Sequence, residues 1–294
     1  MANCHQQFIT YRSNLDITPT TFNRLKTAQY GVEKQLRKYF DKREGYNVKG
    51  FKVQGSKSIS TMIRKQGDTV DIDFGIYFYP KPNVQPATLI ERVYDALYDL
   101  RTTYAPTRKN KCVRVIYREE SKIHIDVPIF YLEQLRGERN PQLATRNGWI
   151  SSDATEFEAW YKANKGSRNV QLTHIIRYLK GWASYYGQQN EMPKGVAMTV
   201  LAAIHHEKHS RDDIAFLKTL ISIRQTLQRD FSCNMPVKPN DDLLRNINTL
   251  PKRQAFFRLL NALIEDGEIA VKTTKKEKAI QLWRWHLGKH FPTY

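Results

Sequence analysis

The chain has 294 residues, 40% of them hydrophobic and 26% charged, which excludes a disordered polymer and allows one large core or two fused lobes. Lys and Arg number 47 against 29 acidic residues, and a net charge of +18 favours polyanionic partners: nucleotides, nucleic acid or anionic lipid. No apolar run approaches the roughly 18 residues that cross a bilayer, the opening MANCHQQFITYRSNLD has no signal-type apolar core, and Cys4, Cys112 and Cys233 are too scattered for a zinc ribbon or disulfide framework. A cytoplasmic protein with no membrane partner is expected.

A helix is predicted over 18–40. Pro19 suits a first turn, and Phe22, Leu25, Ala28, Val32, Leu36 and Phe40 form one apolar face. A short strand ends at Gln54, before Gly55-Ser56, and a helix is predicted over 58–64. Strands follow at 70–78, 113–117 and 123–127, with a helix over 87–101 between the first two. Pro128 is read as the limit of the third strand. Asp153 with Glu156 is a helix-start signature. From there the pattern reads as helices only, at 153–164, 171–187, 195–208, 211–230, 252–266 and 275–289, with a Pro-broken loop over 234–242. The expected organisation is an α/β (α+β) lobe with a mixed sheet over 1–150, including the long N-terminal helix, and an all-helical lobe over 151–294.

Strand geometry selects the chemistry. If 70–78 buries Val70, Ile72, Phe74, Ile76 and Phe78, then Asp71 and Asp73 project together from the opposite face. Two adjacent carboxylates repel, and a divalent cation offsets them. In KIHIDVP, Ile123, Ile125 and Val127 form the apolar set, so Asp126 and His124 point the other way. If the two strands are neighbours, three carboxylates converge, a set able to hold two metal ions for phosphoryl or nucleotidyl transfer. Gly55-Ser56, before a helix start, offers backbone N–H groups and a hydroxyl to phosphate. A Gly-Ser, an Asp-x-Asp strand 15 residues on, and a third strand Asp about 50 residues further form a combination far more specific than any one part.

These elements resemble those of polymerase-β-like nucleotidyltransferases. VDIDFGIYF with KIHIDVPIFYL resembles, more narrowly, the cGAS/DncV-like nucleotidyltransferases (CD-NTases) of bacterial CBASS anti-phage systems. The likeness extends to RYLKGW, with Lys180 in the place of a triphosphate-binding lysine, to MPKGVAM, to PVKPNDDL and to the closing LWRWHLGKHFP. It covers about 20–292.

The resemblance implies a bilobed fold and two Mg²⁺ ions, with Mn²⁺ as a substitute. It implies ATP, with GTP or other NTPs, as substrates joined into a cyclic di- or trinucleotide, such as cyclic GMP-AMP or another adenine-containing product, for a downstream effector. Asp71, Asp73 and Asp126 carry over as catalytic metal ligands. Gln54, Gly55, Ser56, Lys180, Lys194, Asp241 and Asp242 carry over as substrate contacts, Ser56 on donor phosphate and the 234–242 loop at the base. Lys194 stands where many members have serine.

Other features are read more plainly. The His205, His206, His209 cluster lacks the H-E-x-x-H order and is taken as a solvated helix end. The basic run from Lys272 to Lys278 is read first as an exposed loop, with nucleic acid or a protein as a second reading. Trp182, Tyr185 and Tyr186 are read first as core and second as base-stacking groups. Two further functions are carried: a linear RNA nucleotidyltransferase of the poly(A)- or CCA-adding type, and a nucleic-acid-binding module. The basic surface also suits an activating nucleic acid or a regulatory protein.

Overall fold

The computed structural model describes every residue except 101, 103, 119–121, 134–139, 167–168 and 188–191, and all side chains of the described residues but those of 118, 122, 239 and 240. In chain order the first elements are α1 (His5–Asn14), α2 (Pro19–Phe40), β1 (Val48–Gln54), the single turn α3 (Gly55–Ser58), β2 (Val70–Phe78) and α4 (Pro86–Tyr98). Next come β3 (Thr107–Arg108), β4 (Val113–Arg118), β5 (Lys122–Val127), β6 (Ile129–Tyr131), β7 (Gln142–Thr145) and β8 (Gly148–Ser151). The remaining elements are α5 (Ala154–Lys165), α6 (Val170–Tyr186), α7 (Gly195–His205), α8 (Asp212–Arg229), the hairpin β9 (Asn234–Met235) and β10 (Lys238–Asp242), a 3-10 turn (Arg245–Ile247), α9 (Leu250–Lys272) and α10 (Lys276–Leu287). Contacts group these into two compact units. One comprises Ile17–Ser58 and Gly67–Glu156; the other comprises Met1–Asp16, Ile59–Gln66 and Phe157–Tyr294.

The first unit is a mixed sheet backed by α2 and α4. The order is β3-β4-β5-β2-β6-β7-β8, with β1 also paired to β2. β2 runs parallel to β5, with Val70 level with Ile123 and Asp73 with Asp126, and parallel to β6, with Ile76 level with Ile129. Every one of these pairs is separated by 53 residues. Pro128 ends β5 as expected but does not break the register: its carbonyl accepts from Ile76 N–H, and β6 continues in step with β2. What changes at Pro128 is the far-side neighbour, β4 for β5 and β7 for β6.

Helix α2 starts as its sequence requires: Thr18 Oγ1 accepts from Thr21 N–H at 3.1 Å, and Pro19 occupies the first turn. Its buried stripe of Leu25, Ala28, Val32, Leu36 and Phe40 meets the apolar sheet face, where Phe40 lies edge-on to Phe78 at 5.0 Å. Each of its fully buried Leu, Val and Phe side chains contributes about 1.5–3 kcal/mol. Helix α4 begins at Pro86 and ends at Tyr98; Arg101, the end expected from periodicity, lies outside the described residues.

The second unit is helical, with one correction. Residues 234–242 form the β9–β10 hairpin instead of an irregular loop, closed by Asp242, whose Oδ1 accepts from Cys233 N–H at 3.0 Å and Leu244 N–H at 2.9 Å. A second correction concerns 58–64. The helical turn is Gly55–Ser58, and it stops because Ser60 takes a left-handed φ of 59°. Residues 59–66 are then irregular, with Ile59 and Ile63 buried in the helical core and Arg64 N–H bonded to Leu15 O. The start of α8 is a polar hub. Buried Asp212 accepts from Tyr178 at 2.7 Å and Gln171 at 2.8 Å and lies 3.2 Å from His174, while Asp213 accepts from Cys4 N–H and Arg211. Both acids sit where the helix dipole favours negative charge. All three cysteines are free and buried. Among the described residues no helix is long and apolar enough to cross a membrane.

Candidate active site

The alternation in β2 is realised: Val70, Ile72, Phe74, Ile76 and Phe78 are buried, and Asp71 and Asp73 are half-buried on the other face. Parallel pairing with β5 sets Asp71 level with His124 and Asp73 level with Asp126. The three carboxylates thus share one face at neighbouring positions. On the other side, β1 brings Gln54 level with Asp73 and then turns at Gly55.

Gly55 is required at that turn. Its φ is +66°, and a Cβ there would stand 2.3 Å from Asp73 Oδ2. The backbone of the Gly55–Ser58 turn therefore approaches Asp73 as closely as a hydrogen-only side chain permits. Ser56 is half-buried in the same turn, which Ser58 closes by donating to Gly55 O at 2.9 Å. Gly75 is bare for a related reason: Gln54 Nε2 would lie 2.7 Å from its Cβ. That space lets Gln54 donate to the Tyr77 hydroxyl, and Tyr77 stacks on Phe130 at 4.8 Å.

The electrostatics include a residue that motif reading missed. Arg114 of β4 lies opposite Asp126 and grips it with two bonds of 2.6 Å, Nε to Oδ1 and Nη2 to Oδ2. The same guanidinium is 3.9 Å from Asp71, and Lys109 reaches within 4.0 Å of Asp126. The hydrogen bond to Asp126 raises the Arg114 pKa against the opposing effect of burial. Burial first, and then the Asp126 charge, pushes the neighbouring Cys112 thiol up to about 12. His124 Nδ1 lies 2.8 Å from Asp71 Oδ1. The signal for Arg114 was present in VRVIYR: once Val113 and Val115 face inward, Arg114 faces the acids, but this needs the β4–β5 pairing.

The donor set fits a hard divalent cation in type, being carboxylate oxygens on one face beside a backbone turn stripped of Cβ. In this arrangement Arg114 supplies the counter-charge, and among the described residues no group of three or more His, Cys, Asp or Glu is preformed as a metal cage.

The other candidate residues belong to the helical unit. Lys180 of α6 donates to Thr61 Oγ1 at 2.9 Å, and its stem lies against Gly195, the first residue of α7. Lys194 is exposed at the N-cap of α7 and makes no side-chain cap. Asp241 pairs with Arg245, and Asp242 is spent on the hairpin bonds given above. Trp182 is core, whereas Tyr185 is 38% exposed. His205 and His206 lie beside Ser222 and Asn169 at hydrogen-bond distance, and burial lowers the pKa of both.

Paired carboxylates on a central strand, a third on its parallel neighbour and a Gly-Ser turn at the strand edge are the frame of a polymerase-β-like nucleotidyltransferase. Comparison with known proteins narrows this. Residues 49–130 match the family described as cyclic GMP-AMP synthase DncV-like, nucleotidyltransferase domain. The chain is 28% identical over 208 residues to a cyclic GMP-AMP synthase of Escherichia albertii, covering 66% of this chain but only 45% of that protein. It is 22% identical over 298 residues to a cyclic AMP-AMP-AMP synthase of an Acinetobacter species, covering 98% of this chain and 85% of that one. In structure it resembles Vibrio cholerae DncV, a cyclic AMP-GMP synthase crystallised with the linear intermediate pppA(3′,5′)pG, at a TM-score of 0.84, 18% identity and 99% and 96% coverage. The Bradyrhizobium diazoefficiens CD-NTase CdnG, in complex with GTP, follows at 0.77, 14% identity and 98% and 95% coverage. Residues 49–130 thus carry a DncV-like nucleotidyltransferase domain, and the chain as a whole shares the fold of the DncV and CdnG structures.

Proposed function

We propose that this enzyme joins nucleoside triphosphates into a cyclic di- or trinucleotide, made in the bacterial cytoplasm as an anti-phage signal for a downstream effector. The observation that carries the chemistry is the shared face of Asp71, Asp73 and Asp126, with Asp73 level with Asp126 and the Gly55 turn against Asp73. Adenine is common to the products named for both relatives, which supports ATP as the first substrate, with GTP second.

In this reading Asp71, Asp73 and Asp126 hold Mg²⁺, two ions, for which Mn²⁺ substitutes. Held there, the ions would supply a lower pKa for the attacking hydroxyl and positive charge for the leaving pyrophosphate. His124 orients Asp71 through its 2.8 Å contact. The backbone and hydroxyl of Gly55 and Ser56 bind donor phosphate, and Gln54 lines the same edge. Lys180 and Lys194 bring positive charge to the triphosphates, Lys194 as a point charge where a serine would have donated one hydrogen bond. Asp241 contacts a base, and Asp242 serves by holding the hairpin in shape. The catalytic unit is the sheet-bearing one, Ile17–Ser58 with Gly67–Glu156, in place of the 1–150 span expected from the sequence.

The test is incubation with each α-labelled NTP, alone and mixed, with Mg²⁺, with and without added nucleic acid, followed by phosphatase and mass spectrometry. A phosphatase-resistant cyclic product that vanishes in Asp71→Ala/Asp73→Ala is expected. Label entering an RNA primer, or no difference between wild type and that variant in any mixture, overturns the reading.

A further inference from the structure

The helical unit carries a pocket that none of the roles above uses. Its volume is about 500 Å³, the range of small-ligand sites. Gln66, Tyr185, Gln281, Arg284, Trp285 and Lys289 line it together with Gly288. The lining holds two cations, two aromatic rings and no acid. Gly288 leaves room for one of the rings: its φ is +75°, and a Cβ would stand 2.5 Å from the Tyr185 ring, which lies against bare backbone. Trp285 is 73% exposed, although the same helix buries Trp283 to 1%. A tryptophan that leaves most of its surface in water contributes little to packing and needs another explanation.

The exposed face of α10 supplies one. Lys278, Gln281 and Trp285 recur at spacings of three and four, so they form one stripe, about 10 Å from Lys278 to Trp285. Lys275 stands at the N-cap, and Lys289 continues beyond Gly288. Lys278 and Lys289 have no ion-pair partner among the described residues, and Glu277 is the single acid of the helix. This is the basic run noted in the sequence, now joined to two exposed aromatic rings. A cationic track ending on a stacking platform is what a single-stranded polynucleotide recognises: rings take a base, ammonium groups take successive phosphates. Duplex has its base faces covered and cannot use the rings.

We infer that the pocket at Tyr185 and Trp285, with the exposed stripe of α10, is a binding site for single-stranded nucleic acid, one base stacking on Trp285 and the backbone running towards Lys278. The site shares no residue with the carboxylate cluster. One of its walls, Gln66, lies on the chain segment that joins Ser56 to Asp71.

The probe is a fluorescent 12-nucleotide single-stranded RNA read by anisotropy in EDTA, so that binding is scored without metal or catalysis. Binding that weakens steeply between about 50 and 200 mM salt is expected. Trp285→Ala weakens it about 5- to 150-fold, the worth of one stacked base, and Trp285→Phe retains most of it. Lys278→Gln with Lys289→Gln flattens the salt dependence. Unchanged affinity in Trp285→Ala, equal affinity for duplex, or competition by AMP at the same concentration as by unlabelled RNA overturns the inference, the last assigning the pocket to free nucleotides. Circular dichroism of each variant excludes unfolding. Because no NTP is present, the outcome is independent of whether a cyclic product is made.

Discussion

Arg114 and Asp126 bind one another with the geometry of a fork in a fork, two parallel bonds that leave neither carboxylate oxygen without a donor. Without Arg114, three carboxylates would face one another across two strands. Arg114→Gln therefore lowers stability in metal-free buffer by about 1–2 kcal/mol, and Mg²⁺ or Mn²⁺ recovers the loss at lower concentration than wild type needs for an equal shift in Tm. Thermal melts across a metal titration measure both; a variant as stable as wild type without metal would show that the fork is idle. Gly55 is constrained on different grounds. Gly55→Ala adds left-handed strain of about 1–2 kcal/mol and drives a methyl into Asp73. Product formation should fall more than about 100-fold, while Gly50→Ala, at a glycine with nothing within 4 Å of its Cβ, stays near wild type in the same assay.

At the scale of elements, the helical unit is tied together at the start of α8. Burial alone would raise the Asp212 pKa, but hydrogen bonds from His174, Gln171 and Tyr178 outweigh it and hold the carboxyl at about 2 against an ordinary 3.8. A folded pKa below the unfolded one stabilises the fold above pH 3.8, and that stabilisation is lost as pH falls through 2. Urea denaturation between pH 5 and 2 should lose about 2 kcal/mol from this group, and Asp212→Asn should flatten that slope. Strands and helices differed in how plainly the sequence announced them. β2 and β5 were legible because a period of two separates Asp from Ile and Val without ambiguity, and α2 because Thr18, Pro19 and a 3.6 period agree. The hairpin at 234–242 was not, since two prolines and a four-residue reach erase any period. The helix expected over 58–64 failed because Ser60 turns left-handed, a backbone choice that serine does not advertise. Among candidate site residues, the carboxylates could be read from single strands; Arg114 needed the pairing of two, and Asp242 needed the hairpin.

For the molecule as a whole, net charge governs the surface more than any single ion pair does. At +18 the folded chain repels itself, and screening relieves this within a Debye length of about 10 Å at 0.1 M salt. Melting temperature should therefore rise by a few degrees between about 10 and 300 mM NaCl, as read by scanning fluorimetry; a fall would mean that local ion pairs outweigh the global repulsion.

The constant separation of 53 residues between β2 and the paired run of β5, Pro128 and β6 has an evolutionary consequence. It divides the chain into stretches that can and cannot change length. The loops on either side of α4, between Phe78 and Pro86 and between Tyr98 and Thr107, can grow or shrink among descendants of this protein, because β2, β4 and β5 would keep their faces. One residue gained or lost inside 122–131 would turn Asp126 to the apolar side or carry Ile129 out of step with Ile76. Lineages should accumulate insertions in those loops and none in 122–131, and the spacing from Asp126 to Tyr131 is the feature by which a distant relative could be aligned when little else survives.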